Sequence, residues 1–185
     1  MKSKVKKLTI QIIEADLLQQ EADAIALATD PILTLPPELI TLGGAELTEA
    51  VTLLGWCDVG HAVSVSTKLP HANTLILAAP PKWGEASARG KLANTIWDIL
   101  QLAESLHIKT LATPPIGIGK FGHPIEATAH IMMEQILDYA YEPIKHLRNI
   151  LICVSSDVAY TSFKNEFNRQ IVSLDSSEDS QAGVG

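Results

Sequence analysis

The sequence predicts an α/β domain of three layers, with helices on both faces of a mixed, mostly parallel central sheet. Three observations carry that expectation. Short apolar runs of strand length alternate with longer amphipathic stretches over most of the chain. One run, Asp23-Ala24-Ile25-Ala26-Leu27-Ala28, has the composition of a strand buried on both faces. A third stretch, Thr110 to Pro124, joins an apolar strand to a helix through a glycine-rich turn.

Taken in order, Leu8 to Ile13 alternates like a strand and Glu14-Ala15-Asp16-Leu17 leaves it. The run from Asp23 to Ala28 follows, bounded by Asp30-Pro31. Pro31 to Pro37 is a proline-punctuated loop. Glu38 to Leu54 has helical spacing of Leu39, Leu42, Leu47, Ala50, Val51 and Leu54, and Gly43-Gly44 is expected to interrupt it. Gly60 to Ser66 and Asn73 to Ala79 read as strands ended by Leu69-Pro70 and Pro80-Pro81. Lys91 to Leu106 is an amphipathic helix, with Leu92, Ile96, Ile99, Leu100 and Ala103 on one face. After the glycine turn come a helix from Ile125 to Tyr141, a core strand from Ile150 to Val154, and a helix from Tyr160 to Gln170. One domain over 1–172 is expected, then a small, polar, acidic tail over 173–185 with the composition of a disordered segment.

Ligands of such domains bind in the crevice at the carboxyl ends of the strands. Polar breaks at Asp16, at Asp30 and at the Gly117 turn follow core strands, and Asp157 follows the last one. If those strands are neighbours, the four segments line one crevice.

The turn itself, TLATPPIGIGKFGHP, places Gly117, Gly119 and Gly122 at G-x-G-x-x-G spacing. Such a turn can aim backbone N–H groups at one spot, and the following helix adds the positive end of its dipole. That suits a phosphate or diphosphate, although the spacing alone fits a tight turn without ligand. The dinucleotide-binding version opens a domain on its first strand, whereas this turn comes about two-thirds along. A different phosphate-binding fold is favoured.

The formal charge of −7 and pI of about 5.3 make the chain a poor candidate for general nucleic-acid binding. Cys57 and Cys153 form no C-x-x-C pair and sit in apolar surroundings, as core residues do. His61, His71, His107, His123, His130 and His146 show no metal-ligand spacing, and no metal or cofactor is expected. MKSKVKKLTIQII does not make a signal peptide, and no run approaches the ~20 apolar residues of a membrane span. A cytoplasmic protein is the simplest reading.

In their order along the chain, several segments resemble the macro domain, an ADP-ribose-binding family, over roughly Leu8 to Phe163. Glu14-Ala15-Asp16-Leu17 is similar to the family's G-D-I-T step, and Asp23 to Asp30 to its D-A-I-V-N-A-A-N segment. Cys57, Gly60, Ala62, Thr67, Leu69-Pro70, Pro80 and Trp83 follow its C-x-x-G-x-A-x-x-T…L-P…P-x-W order. Pro114 to Pro124 is similar to P-x-I-S-T-G-x-Y-G-x-P, and Val154 to Tyr160 to F-x-x-D-x-x-Y.

The resemblance implies binding of ADP-ribose, a related nucleotide, or an ADP-ribosylated macromolecule. It gives Asp16, with Leu17 beside it, the adenine amino group, and Asp30 the distal ribose. It gives Gly117, Ile118, Gly119, Lys120 and Gly122 the diphosphate, Phe121 a wall against the distal ribose, and Asp157 the rim of the adenosine pocket. Each has a structural alternative. Asp16 and Asp30 also suit a cap and a turn, Lys120 a solvated charge, and Phe121 a core cover.

The departures from the family pattern point to altered function. The family's first phosphate loop is a run of glycines, and here Pro31 to Pro37 stands there with no glycine before Gly43. Asp30 replaces the Asn that hydrolytic members use, and puts a negative charge near a diphosphate unless Lys120 or Lys82 offsets it. Gly117-Ile118 replaces a Ser-Thr pair, and Ile76 stands where the family has a histidine. A binder without efficient hydrolysis is expected. The alternatives are a hydrolase of ADP-ribosyl or O-acyl-ADP-ribose groups, with Asp30 its only candidate base, and an interaction scaffold that has lost nucleotide binding.

Overall fold

The computed structural model describes residues 1–182, with side chains through Leu174. The described residues form a mixed seven-stranded sheet with helices on both faces, as the alternation of runs predicts. The strands are β1 (Lys2–Val5), β2 (Leu8–Glu14), β3 (Ala24–Ala28), β4 (Ala62–Leu69), β5 (Ala72–Ala78), β6 (Thr110–Thr113) and β7 (Asn149–Val154). The helices are α1 (Pro37–Leu54), α2 (Ala88–Ser105), α3 (Ile125–Ala140) and α4 (Asp157–Ala182).

The strand order is β1-β2-β7-β6-β3-β5-β4. The five inner strands are parallel, and β1 and β4 are antiparallel edges. Register is set by apolar residues that share a face: Ile10 lies beside Ile150 and Ile12 beside Ile152, and Leu111 also lies beside Ile150. A slip of one residue would turn these side chains to the opposite face. The sequence reading does not include β1. Its residues are KSKV, of which only Val5 is buried, and the two lysines belong to an edge that resists pairing with another sheet.

Two apolar cores flank the sheet. The larger gathers Leu92, Ile96 and Leu100 of α2, Met132, Met133 and Ile136 of α3, and Phe163 of α4 against β2, β3, β6 and β7. The smaller packs Leu39, Leu47 and Val51 of α1 on Leu75 and Leu77 of β5. Each fully buried side chain of this size contributes about 1.5–3 kcal/mol. Helix α1 breaks its own geometry at Gly44 (φ 61°, ψ −162°), where the paired glycines predict an interruption. Helix α4 starts three residues before the expected Tyr160 and runs on to Ala182. The expected tail, 173–185, thus falls partly on this helix and partly outside the described residues. Among the described residues, no helix is long and apolar enough to cross a membrane.

Two carboxylates seat the strands that lead to the glycine turn. Asp23 Oδ2 accepts hydrogen bonds from the N–H groups of Lys109 (2.9 Å) and Thr110 (2.8 Å), at the start of β6. Glu104, near the end of α2, accepts from the N–H groups of Lys145 (2.6 Å), His146 (2.9 Å) and Leu147 (2.8 Å), just before β7. Burial alone would raise the Glu104 carboxyl, but these N–H bonds and the nearby His146 outweigh it and hold it below its ordinary value of 4.5.

Because its folded pKa is depressed, Glu104 contributes stability that is present above about pH 4.5 and lost as the pH falls through the folded value. Glu104→Ala is expected to cost on the order of 1 kcal/mol at pH 7, since the group is partly solvated, and to lower Tm by about 2–4 °C. Thermal denaturation at pH 7 and again below pH 4 checks this. The gap between variant and wild type should narrow in acid.

Candidate functional site

Parallel pairing of β2 with β7, β7 with β6 and β6 with β3 puts four carboxyl ends side by side. The segments that leave those ends carry Asp16, Asp157, the Gly117 turn and Asp30. The four strand ends are therefore neighbours, as expected, and a cleft opens among three of them, with neither Asp30 nor Asp157 in its lining. The cleft is nucleoside-sized, about 530 Å³, within the range of small-molecule sites. Glu14, Asp16 and Leu17 line it from β2, Pro114, Pro115 and Ile118 from the β6 turn, and Cys153 and Ser155 from β7.

Asp16 does two things at this edge. Its Oδ1 accepts a hydrogen bond from Leu18 N–H (3.0 Å) and caps a short 3-10 turn, Leu17–Gln19. Its other carboxylate oxygen has no donor among the described residues, so the cap role and a ligand role are compatible. Asp157 is the first residue of α4 and lies outside the lining of the cleft. Its charge acts on Glu14, whose exposed carboxyl is pushed up by repulsion from Asp157 and by a hydrogen bond between the two. Cys153 is buried in the wall, and burial, with the Asp16 charge added, pushes its thiol up to about 11. It is a neutral wall group at physiological pH and not a nucleophile.

Cys153, Glu14, Pro114 and Pro115 are lining residues that sequence reasoning did not assign to the site. The signal that could have found them is positional. Once β2, β6 and β7 are taken as neighbours, the last residues of each must face the same crevice.

The glycine turn is held from behind. His123 is buried, and its Nε2 lies 2.8 Å from the Pro81 carbonyl, which fixes the proton on that nitrogen. His123 N–H donates to Gly117 O (3.0 Å), and Trp83 N–H donates to Phe121 O (2.8 Å). The Trp83 indole meets the His123 ring edge to face at 5.4 Å. Phe121 is buried and carries the Lys120 ammonium 5.3 Å above its ring. A short 3-10 turn runs over Gly119–Phe121 and ends on Gly122 in the left-handed region (φ 77°). The first N–H groups of such a turn have no partner within it, and those of Gly119 and Lys120 donate to no backbone acceptor among the described residues.

The glycines differ in why they are glycine. At Gly117 (φ 99°) a Cβ would meet His123 Cδ2 at 3.0 Å and Leu92 Cδ1 at 3.2 Å. At Gly119 (φ 69°) a Cβ would meet nothing within 4 Å. Packing excludes a side chain at Gly117, whereas Gly119 borders open space.

Asp30 stands at the end of β3, beside the turn. Its Oδ1 accepts from Thr34 N–H (2.9 Å) and its carbonyl from Leu33 N–H (3.0 Å). Burial would raise its carboxyl, but the bonds from Thr34 and the charge of Lys120 outweigh it and lower the pKa. Lys120 thus offsets part of the Asp30 charge. Among the described residues, no group of three metal-ligating side chains comes together.

Known proteins share this fold. The macro domain family model matches residues 38–132, a stretch that contains the glycine turn but not Asp16, Asp30 or Asp157. An uncharacterised protein of Saccharolobus solfataricus is 32% identical over 169 residues, covering 87% of this chain and 93% of that one. A protein of an Enterobacter species named O-acetyl-ADP-ribose deacetylase is 29% identical over 164 residues, covering 83% of this chain and 91% of that one. Among solved structures, a mutant of the Oceanobacillus iheyensis macrodomain, described with ADPR, superposes with a TM-score of 0.84 at 21% identity. That match covers 92% of this chain and 98% of the other, and shows the shared fold.

The contrast between the two glycines predicts different costs. Gly117→Ala should destabilise by about 2–4 kcal/mol, from the left-handed φ and the overpacking together. Gly119→Ala should cost about 1 kcal/mol, from φ alone. Equilibrium urea unfolding of both variants measures the difference, and equal costs would contradict the packing account.

Proposed function

The chain belongs to the macro domain family, and on that premise we propose that it binds ADP-ribose, or a related nucleotide diphosphate or phosphate, at the crevice of the four strand ends. The observation that carries this reading is the placement of a nucleoside-sized cleft directly beside the glycine turn, with Ile118 shared by both. The adenosine end occupies the cleft, where the open oxygen of Asp16 accepts a hydrogen bond from the adenine amino group. The phosphates sit against the N–H groups of Gly119 and Lys120, with the Lys120 ammonium adding charge. The ligand is either the free nucleotide or the same group attached to a macromolecule.

Binding without efficient hydrolysis fits the state of Asp30. A general base works best with a pKa near the operating pH. The carboxyl of Asp30 is held below its ordinary value by Thr34 and Lys120, which makes it a poor proton acceptor. The Enterobacter relative named as a deacetylase favours a second reading, hydrolysis of an O-acyl-ADP-ribose or ADP-ribosyl bond. Any such turnover should disappear in Asp30→Ala.

Calorimetric titration with ADP-ribose, beside a Gly119→Glu variant, tests the binding reading. The expected result is saturable binding that the variant loses while its thermal unfolding stays cooperative. Silence with ADP-ribose and ADP alike, up to millimolar ligand, would remove the nucleotide reading and leave an interaction scaffold or an unrelated ligand.

A further inference from the structure

The two walls of the phosphate region are unequal in donors. On the glycine-turn side, Gly119 borders open space, and the N–H groups of Gly119 and Lys120 donate to no backbone acceptor among the described residues. Beside it, leaving the end of the neighbouring strand β3, runs the segment 31–37, and most of its backbone cannot donate. Pro31, Pro36 and Pro37 have no N–H. The N–H of Leu33 is spent on Asp30 O and that of Thr34 on Asp30 Oδ1. Only Ile32 and Leu35 keep an N–H free of these constraints.

The same segment is also fixed in place. Leu33 (3% exposed) and Leu35 (8%) are drawn into the smaller core beside Leu39 and Leu47. Cys57 N–H donates to Pro31 O (2.9 Å), and Thr29 Oγ1 donates to Thr34 O (3.0 Å). Swinging the segment aside to admit a ligand would expose two buried leucines and break these bonds. None of its residues lines the nucleoside cleft. Asp30 closes the near end with a carboxylate, the charge least suited to a passing diphosphate.

Resting on the nucleotide reading above, we infer that the site takes nucleotides that end at their phosphates, the 5′-mono- and diphosphates, and discriminates against a second ribose beyond the diphosphate. Asp30 and the segment 31–37 are the discriminating elements. The glycine turn supplies one anion cradle, and the neighbouring segment supplies no second one. A distal sugar would lie against a carboxylate and a donor-poor strap, so it adds size without adding affinity.

Titrations of the full chain with AMP, ADP and ADP-ribose at one ionic strength test this, with wild type beside Asp30→Asn. The amide retains an oxygen to accept the Thr34 N–H, and thermal unfolding checks that the variant folds. The expected result is that ADP binds wild type at least as tightly as ADP-ribose does. In Asp30→Asn the ratio should move about tenfold toward ADP-ribose as the repelling charge is removed. ADP-ribose binding tenfold tighter than ADP in wild type, or a ratio that Asp30→Asn leaves unchanged, overturns the inference and leaves the nucleotide reading standing. Absence of binding by all three ligands overturns both.

Discussion

The site depends on one constraint, the parallel pairing of β2, β7, β6 and β3 in a single register. Parallel strands end on the same side of the sheet, so every chain break that follows them opens into one crevice. The register is held by Ile10, Ile12, Leu111, Ile150 and Ile152, which must all face the larger core. Site geometry is therefore a product of core packing. The loops contribute chemistry, but their meeting point is set by apolar residues that touch no ligand.

Around that meeting point the charges are arranged in two groups. Glu14 and Asp16 make the cleft acidic, and Asp157 stands against Glu14 just outside its lining. Lys120 stands between the glycine turn and Asp30, and stacks over Phe121 as it does so. One lysine thus lowers the pKa of an acid at the end of β3 and raises the positive potential over the turn. The macro fold is kept while a proline-rich strap follows β3, and the Lys120 charge bears on both Asp30 and Phe121 of the turn.

Much of this was legible in the residues themselves. The glycine turn announces itself by spacing, and α2 and α3 by their apolar stripes. The kink in α1 is written in Gly43-Gly44. The four polar breaks could be named from sequence, but their adjacency could not, because strand order is a long-range property. Edge strand β1 escaped notice because its lysines carry no alternating pattern. Cys153 reads as a core residue and is one, yet it also walls the cleft, since the last residue or two of a buried strand belong to both. The difference between Gly117 and Gly119 was equally hidden. Two identical letters two positions apart differ only in what stands behind them, His123 and Leu92 for one and empty space for the other.

The bonds from Asp23 to the start of β6 act over a distance. Strand β6 has four residues, a rod of about 13 Å, anchored at its lower end by a carboxylate and carrying the glycine turn at its upper end. A strand that short has no slack to absorb a displacement. The height of the glycine turn above the sheet is thus gauged from the far end of β6, and a perturbation at Asp23 would be read out at Gly119 as misalignment.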